Sequence, residues 1–114
     1  MALPLLVRQF VEIKMKQYCD TKIPIEHQNE IKLLYNIRGN NVTLIESRPL
    51  FLDKNKWGEF KIAQFRYNPN NNKWALYCRN RNEKWFIYMN IDDCENLEDL
   101  LKEVDDDPTG IFWG

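Results

Sequence analysis

Arg66, Tyr77, Arg79, Arg81, Lys84, Phe86 and Tyr88 crowd one stretch of the chain and interleave cations with flat rings. That mixture suits single-stranded nucleic acid, because guanidinium and ammonium groups meet phosphates while rings stack on unpaired bases. A second group, Glu46, Arg48 and Arg66, could form a carboxylate–guanidinium cluster at one end of a sheet. Such clusters serve as structural ion pairs and, less often, as catalytic sites.

Other chemistry finds little material. His27 is the only histidine and stands beside Glu26, where a solvated side chain is the plain reading. Cys19, Cys78 and Cys94 are scattered, with no C-x-x-C pair, so they read as reduced thiols and no metal site is expected. Asp105, Asp106 and Asp107 are consecutive at a helix end and cannot all face one ion, so they read as a solvated acidic terminus. Only four glycines are present and none forms a phosphate loop, and no cofactor is expected.

These residues sit in a chain of 114 residues, read as one domain, 1–114. A hydrophobic fraction of 44% and an aromatic fraction of 13% fit a folded globule. No apolar run is long enough to span a bilayer, and Arg8 interrupts the opening apolar run, so no membrane partner and a cytoplasmic location are expected. The net charge of −1 hides an asymmetry. Residues 1–91 hold 15 bases against eight acids, +7, and residues 92–114 hold one base against nine acids, −8.

The elements that must position the candidate residues follow from periodicity. Pro4 suits a first helical turn, and Leu6, Val7, Phe10, Ile13 and Gln17 follow helical spacing, predicting an amphipathic helix over 4–18. Residues 30–38 and 42–48 alternate as strands around Gly39-Asn40-Asn41, predicting a hairpin. Tyr35, Ile37, Val42 and Leu44 then share a face that Glu46 and Arg48 continue. The stretch 57–88 reads as a meander of three aromatic and β-branched runs broken by asparagine-rich turns. Asn96 is a predicted N-cap, with Asp99 three residues on, for a short helix over about 96–105 carrying Leu97, Leu100, Leu101 and Val104. The ending Ile111-Phe112-Trp113-Gly114 is apolar enough to dock. The fold class is therefore α+β: an antiparallel meander of about five strands, an N-terminal helix packed on it, a short C-terminal helix and a docked aromatic tail.

An even-length loop over 68–73 opposes Tyr67 to Trp74 and puts Ala63, Phe65, Tyr67, Trp74, Leu76 and Cys78 on a core face. A two-residue turn at Asn82-Glu83 adds Trp85, Ile87 and Met89 to it. The other face then carries Ile62, Gln64, Arg66, Tyr77, Arg79, Arg81, Lys84, Phe86 and Tyr88. Two readings of that face compete. It is a binding platform, or the acidic C-terminal segment covers its cations and rings.

Tyr18-Cys19, the hairpin I-R-G-N-N-V-T-L-I-E-S-R-P, the runs I-A-Q-F-R-Y and W-A-L-Y, N-E-K-W with Tyr88, and the ending D-P-T-G-I-F-W-G occur in order across nearly the whole chain. In these the sequence resembles the bacterial domain-of-unknown-function family 3024. The resemblance implies a small standalone bacterial protein and supplies no activity or catalytic residue. The residues themselves suggest a non-enzymatic binding protein using the aromatic and basic sheet face, with nucleic acid or protein as partner. The alternative is a protein-interaction or regulatory module using a sheet edge or the Trp57 loop. A small enzyme with an Arg/Glu site comes third.

Overall fold

The computed structural model describes residues 3–113. Helix α1 (Leu5–Lys22) is followed by a single 3₁₀ turn at Ile25–His27 and then by β1 (Lys32–Arg38), β2 (Asn41–Pro49), β3 (Trp57–Asn68), β4 (Lys73–Arg79) and β5 (Trp85–Ile87). Helix α2 (Leu97–Asp106) comes last. The strands lie in the order β1-β2-β3-β4-β5, each antiparallel to the next. The class is α+β, an antiparallel meander with a helix at each end of the chain.

The hairpin turns on Gly39, whose φ of 60° meets the positive-φ demand of a two-residue connection, so Arg38 opposes Asn41. The β3–β4 loop is even in length, and Tyr67 opposes Trp74 as predicted. One face of the sheet is the core. Leu33, Val42, Leu44, Ala63, Phe65 and Leu76 pack there against Val11, Met15 and Cys19 of α1 and Leu97, Leu100 and Val104 of α2. Both helices therefore cover the same face.

Of the predicted helical positions only Val7 packs against the core, and the buried stripe of α1 is otherwise a different one. Val11, Met15 and Cys19 are buried, while Leu6 and Ile13 are 79% and 66% exposed and Phe10 is exposed with them. The Leu6–Phe10–Ile13 line ends at Gln17, whereas the helix runs on to Lys22 and extends the Val7–Val11–Met15 line through Cys19. The longer apolar line buries more surface.

Two irregularities overturn parts of the predicted face assignment. Leu44 opposes Ala63, but Ile45 opposes Lys61, leaving Ile62 as an extra residue in β3. Ile62 packs against the core rather than on the outer face, and Lys61 pairs with outward-facing Ile45. The β4–β5 connection is five residues, 80–84, because Asn80 organises it: its Oδ1 accepts from the Asn82 and Lys84 amides at 2.9 and 3.1 Å. Glu83 takes φ 60° inside this turn. An odd loop moves every β5 side chain to the opposite face. Trp85 opposes Arg79 and Ile87 opposes Tyr77 on the outer face, whereas Phe86 opposes Cys78. Met89 is exposed and Tyr88 is buried in the core.

The C-terminus docks on the helical side. Asn96 caps α2, accepting from the Glu98 amide at 3.0 Å. Asp107 closes the helix at φ 43°, and its carboxylate accepts the Phe112 and Trp113 amides at 3.1 and 2.8 Å. Trp113 Nε1 donates to the Val104 carbonyl at 2.8 Å, and Phe112 lies 5.0 Å from the Tyr88 ring, centroid to centroid. The predicted docking of Gly114 lies outside the described residues.

Candidate nucleic-acid interface

With both helices on one side, the other face of the sheet has no helix against it among the described residues. Its outward strand positions follow from the register. Row by row they include Leu34, Ile45 and Lys61; Asn36, Thr43, Gln64, Tyr77 and Ile87; Arg38, Asn41, Arg66 and Ala75; and Arg79 beside Trp85. Lys32 and Lys73 occupy this face at the strand ends. Against these cations stands one outward carboxylate on the strands, Glu59.

The cations are organised over rings. The Arg66 guanidinium lies 3.8 Å from the Tyr77 centroid, Arg79 lies 5.3 Å from that of Trp85, and Lys32 Nζ lies 5.0 Å from that of Trp57. Arg66 Nε donates to Gln64 Oε1 at 2.7 Å, and Gln64 Nε2 donates to Thr43 Oγ1 at 3.0 Å, a relay spanning β2 and β3. Arg79 Nη2 donates to the Glu83 carbonyl at 2.6 Å, tying the β4–β5 turn to the strand, while its Nε is buried with no hydrogen-bond partner among the described residues. No carboxylate lies within ion-pair distance of Arg38, Lys61, Arg66, Lys73 or Arg79 among the described residues. A guanidinium stacked on a ring presents a flat, positively charged plate, the surface on which a nucleobase stacks.

The structure thus divides the predicted site. Arg66, Tyr77 and Arg79 share the open face, and Arg81 and Lys84 are exposed in the turn beside Arg79 and Trp85. Phe86 and Tyr88 do not belong to it. Tyr88 Oη donates to Glu103 of α2 at 2.7 Å, and burial is the main reason its phenol is held above the ordinary pKa. Trp85 and Lys61 join the face in their place, concealed in the sequence by the odd turn and by the bulge. Arg38 was visible in the alternation of β1.

The second cluster also divides. Arg48 Nε approaches Glu46 Oε1 at 3.5 Å, with the Arg48 side chain more than half exposed and its guanidinium over Phe60. Arg66 opposes Asn41 at the far end of β2, on the other face, and takes no part. Cys19 and Cys78 are buried, and burial pushes the Cys19 thiol up to about 12 and raises those of Cys78 and Cys94. None of the thiols is activated as a nucleophile. No group of three or more His, Cys, Asp and Glu side chains that could hold a metal ion exists among the described residues.

These features define a small α+β protein whose antiparallel sheet is helix-covered on one face and bare, ringed and basic on the other. The chain belongs to the family described as Domain of unknown function (DUF3024), whose model matches residues 3–114. Comparison with curated proteins and with solved structures gives no match. Among the described residues no helix is long and apolar enough to cross a membrane.

Proposed function

We propose that this protein is a non-enzymatic binding module that takes single-stranded nucleic acid on the bare face of its sheet. The observation that carries the reading is the set of outward cations on that face without carboxylate partners. An unpaired basic surface attracts phosphates, and the Arg66–Tyr77 and Arg79–Trp85 stacks offer planes for bases. Helix α2 and the tail pack on the helical side, where Asp105 is held by Lys22 and Asp107 by the tail amides.

Fluorescence anisotropy with mixed-sequence oligonucleotides at low salt tests the reading. Affinity is expected to fall with salt at a log–log slope of about −0.7 per phosphate neutralised, and Lys73→Ala and Arg81→Ala each flatten it by about that increment. Tyr77→Ala weakens binding by ~1–3 kcal/mol through lost stacking. Absence of binding at about 100 μM protein, the weak end of non-specific affinity, overturns the reading.

The protein-interaction reading has one observation in its favour. Between β2 and β3 the loop exposes Phe51 and Leu52 at 94% and 93%. If oligonucleotides fail to bind, that tip becomes the leading surface.

A further inference from the structure

On the bare face, β1, β2 and β3 enclose a cleft of about 400 Å³ lined by Asn36, Arg38, Asn41, Thr43, Lys61 and Gln64. We infer that this cleft seats a phosphate monoester, the terminal phosphate of a nucleotide or oligonucleotide. The inference deepens the nucleic-acid reading of the same face, and it needs the face to be bare but does not need a polymer as ligand.

The floor of the cleft is built before any ligand arrives. Asn36, Thr43 and Gln64 oppose one another across three strands, and Thr43 and Gln64 are only 5% and 9% exposed. Arg66 Nε can only donate, so the atom of Gln64 that faces it at 2.7 Å must be the amide oxygen. The amide nitrogen then faces Thr43, and the hydroxyl accepts its hydrogen at 3.0 Å. That arrangement turns the Gln64 oxygen toward Arg66 and leaves the Thr43 hydroxyl hydrogen and the second Gln64 amide hydrogen to donate. A buried floor with two hydrogens left to donate, and with its amide oxygen turned toward a guanidinium, favours an oxygen-rich anion over a cation.

The rim supplies the charge. Arg38 and Lys61 line the cleft, neither has a carboxylate within ion-pair distance among the described residues, and no carboxylate lines the cleft. Two cations match the roughly two negative charges of a phosphate monoester better than the single charge of a backbone diester. The volume is within the range of small-ligand sites and leaves room for the sugar as well. The β3 bulge is what makes this possible, because without it Lys61 would point to the helical face.

The test follows the Asn36, Asn41 and Gln64 side-chain amides by NMR during titration with inorganic phosphate, then compares oligonucleotides with and without a 5′-phosphate by anisotropy. Phosphate is expected to shift the Gln64 and Asn41 amides, and the 5′-phosphate to tighten binding about tenfold, the scale of one charge-assisted hydrogen bond. Arg38→Ala and Lys61→Ala should each abolish both effects, while Lys102→Ala, exposed on α2 at the helical side, leaves them. No shift at about 10 mM phosphate, a concentration that would nearly fill a millimolar site, overturns the inference. So do shifts that persist in Arg38→Ala and Lys61→Ala. Phosphate binding without any oligonucleotide binding leaves the cleft standing and removes the polymer reading. Oligonucleotide binding that ignores the 5′-phosphate, with no amide shift, does the reverse.

Discussion

On the helix-covered side of the sheet Lys14 meets Glu98 at 3.0 Å and Lys22 meets Asp105 at 2.6 Å, so two acids of the C-terminal helix pair with lysines of α1. On the bare side Arg38, Lys61, Arg66, Lys73 and Arg79 have no such partner among the described residues, and two of them lie over rings instead. The two faces belong to the same strands and differ in what their cations meet. A whole-chain charge of −1 is therefore the sum of an acid-rich helical layer and a basic sheet face. Opposite charge on a chain does not imply contact: Glu98 and Asp105 pair with lysines of α1, and the cations of the sheet face keep no carboxylate partner among the described residues.

That contrast can be broken most forcefully at the tail. Phe112→Ala, on the covered side, is expected to cost about 3–5 kcal/mol in a urea titration, the usual loss for a buried phenylalanine. Tyr77→Ala, on the bare side, should cost about 1 kcal/mol or less, the worth of a cross-strand pair. Equal losses would mean that the bare face is packed in solution.

A smaller effect sharpens the electrostatic half of the comparison. The hydrogen bond from Lys22, with a lesser one from Tyr18, holds the Asp105 carboxyl below its ordinary 3.8. A depressed folded-state pKa gives stability that is complete above the unfolded value and is lost as pH falls through the folded one. Because both side chains are partly solvated, Asp105→Asn should cost only about 0.3–1 kcal/mol at neutral pH. The gap between wild type and variant should be flat from about pH 5 to pH 8 and close below about pH 4. A gap that widens in acid would show that Asp105 is not the stabilised carboxylate.

The smallest expected effect is on the bare side. Lys61→Ala and Lys73→Ala break no ion pair and should leave stability within about 0.5 kcal/mol, as ordinary surface substitutions do. A loss above ~2 kcal/mol in either would reveal a structural partner and weaken the case for a surface kept open for binding.

Local rules were enough for much of this. Alternation in β1 and β2, the glycine at the head of their hairpin, the even β3–β4 loop, the Asn96 cap and the apolar ending are all legible because each depends on residues a few positions apart. For the same reason Arg66, Tyr77 and Arg79 could be placed together from the sequence: all three lie within one register. Tertiary structure decided the rest. Val7, Val11 and Met15 compete with Leu6, Phe10 and Ile13 as the inner stripe of α1, and only the surface that the helix meets chooses between them. The bulge at Ile62 and the odd turn around Asn80 each slip the alternation by one residue, and a single slip reverses every side chain beyond it. Which face α2 covers is set by packing between residues far apart in the chain, where its acids meet the lysines of α1, and no local pattern carries that information.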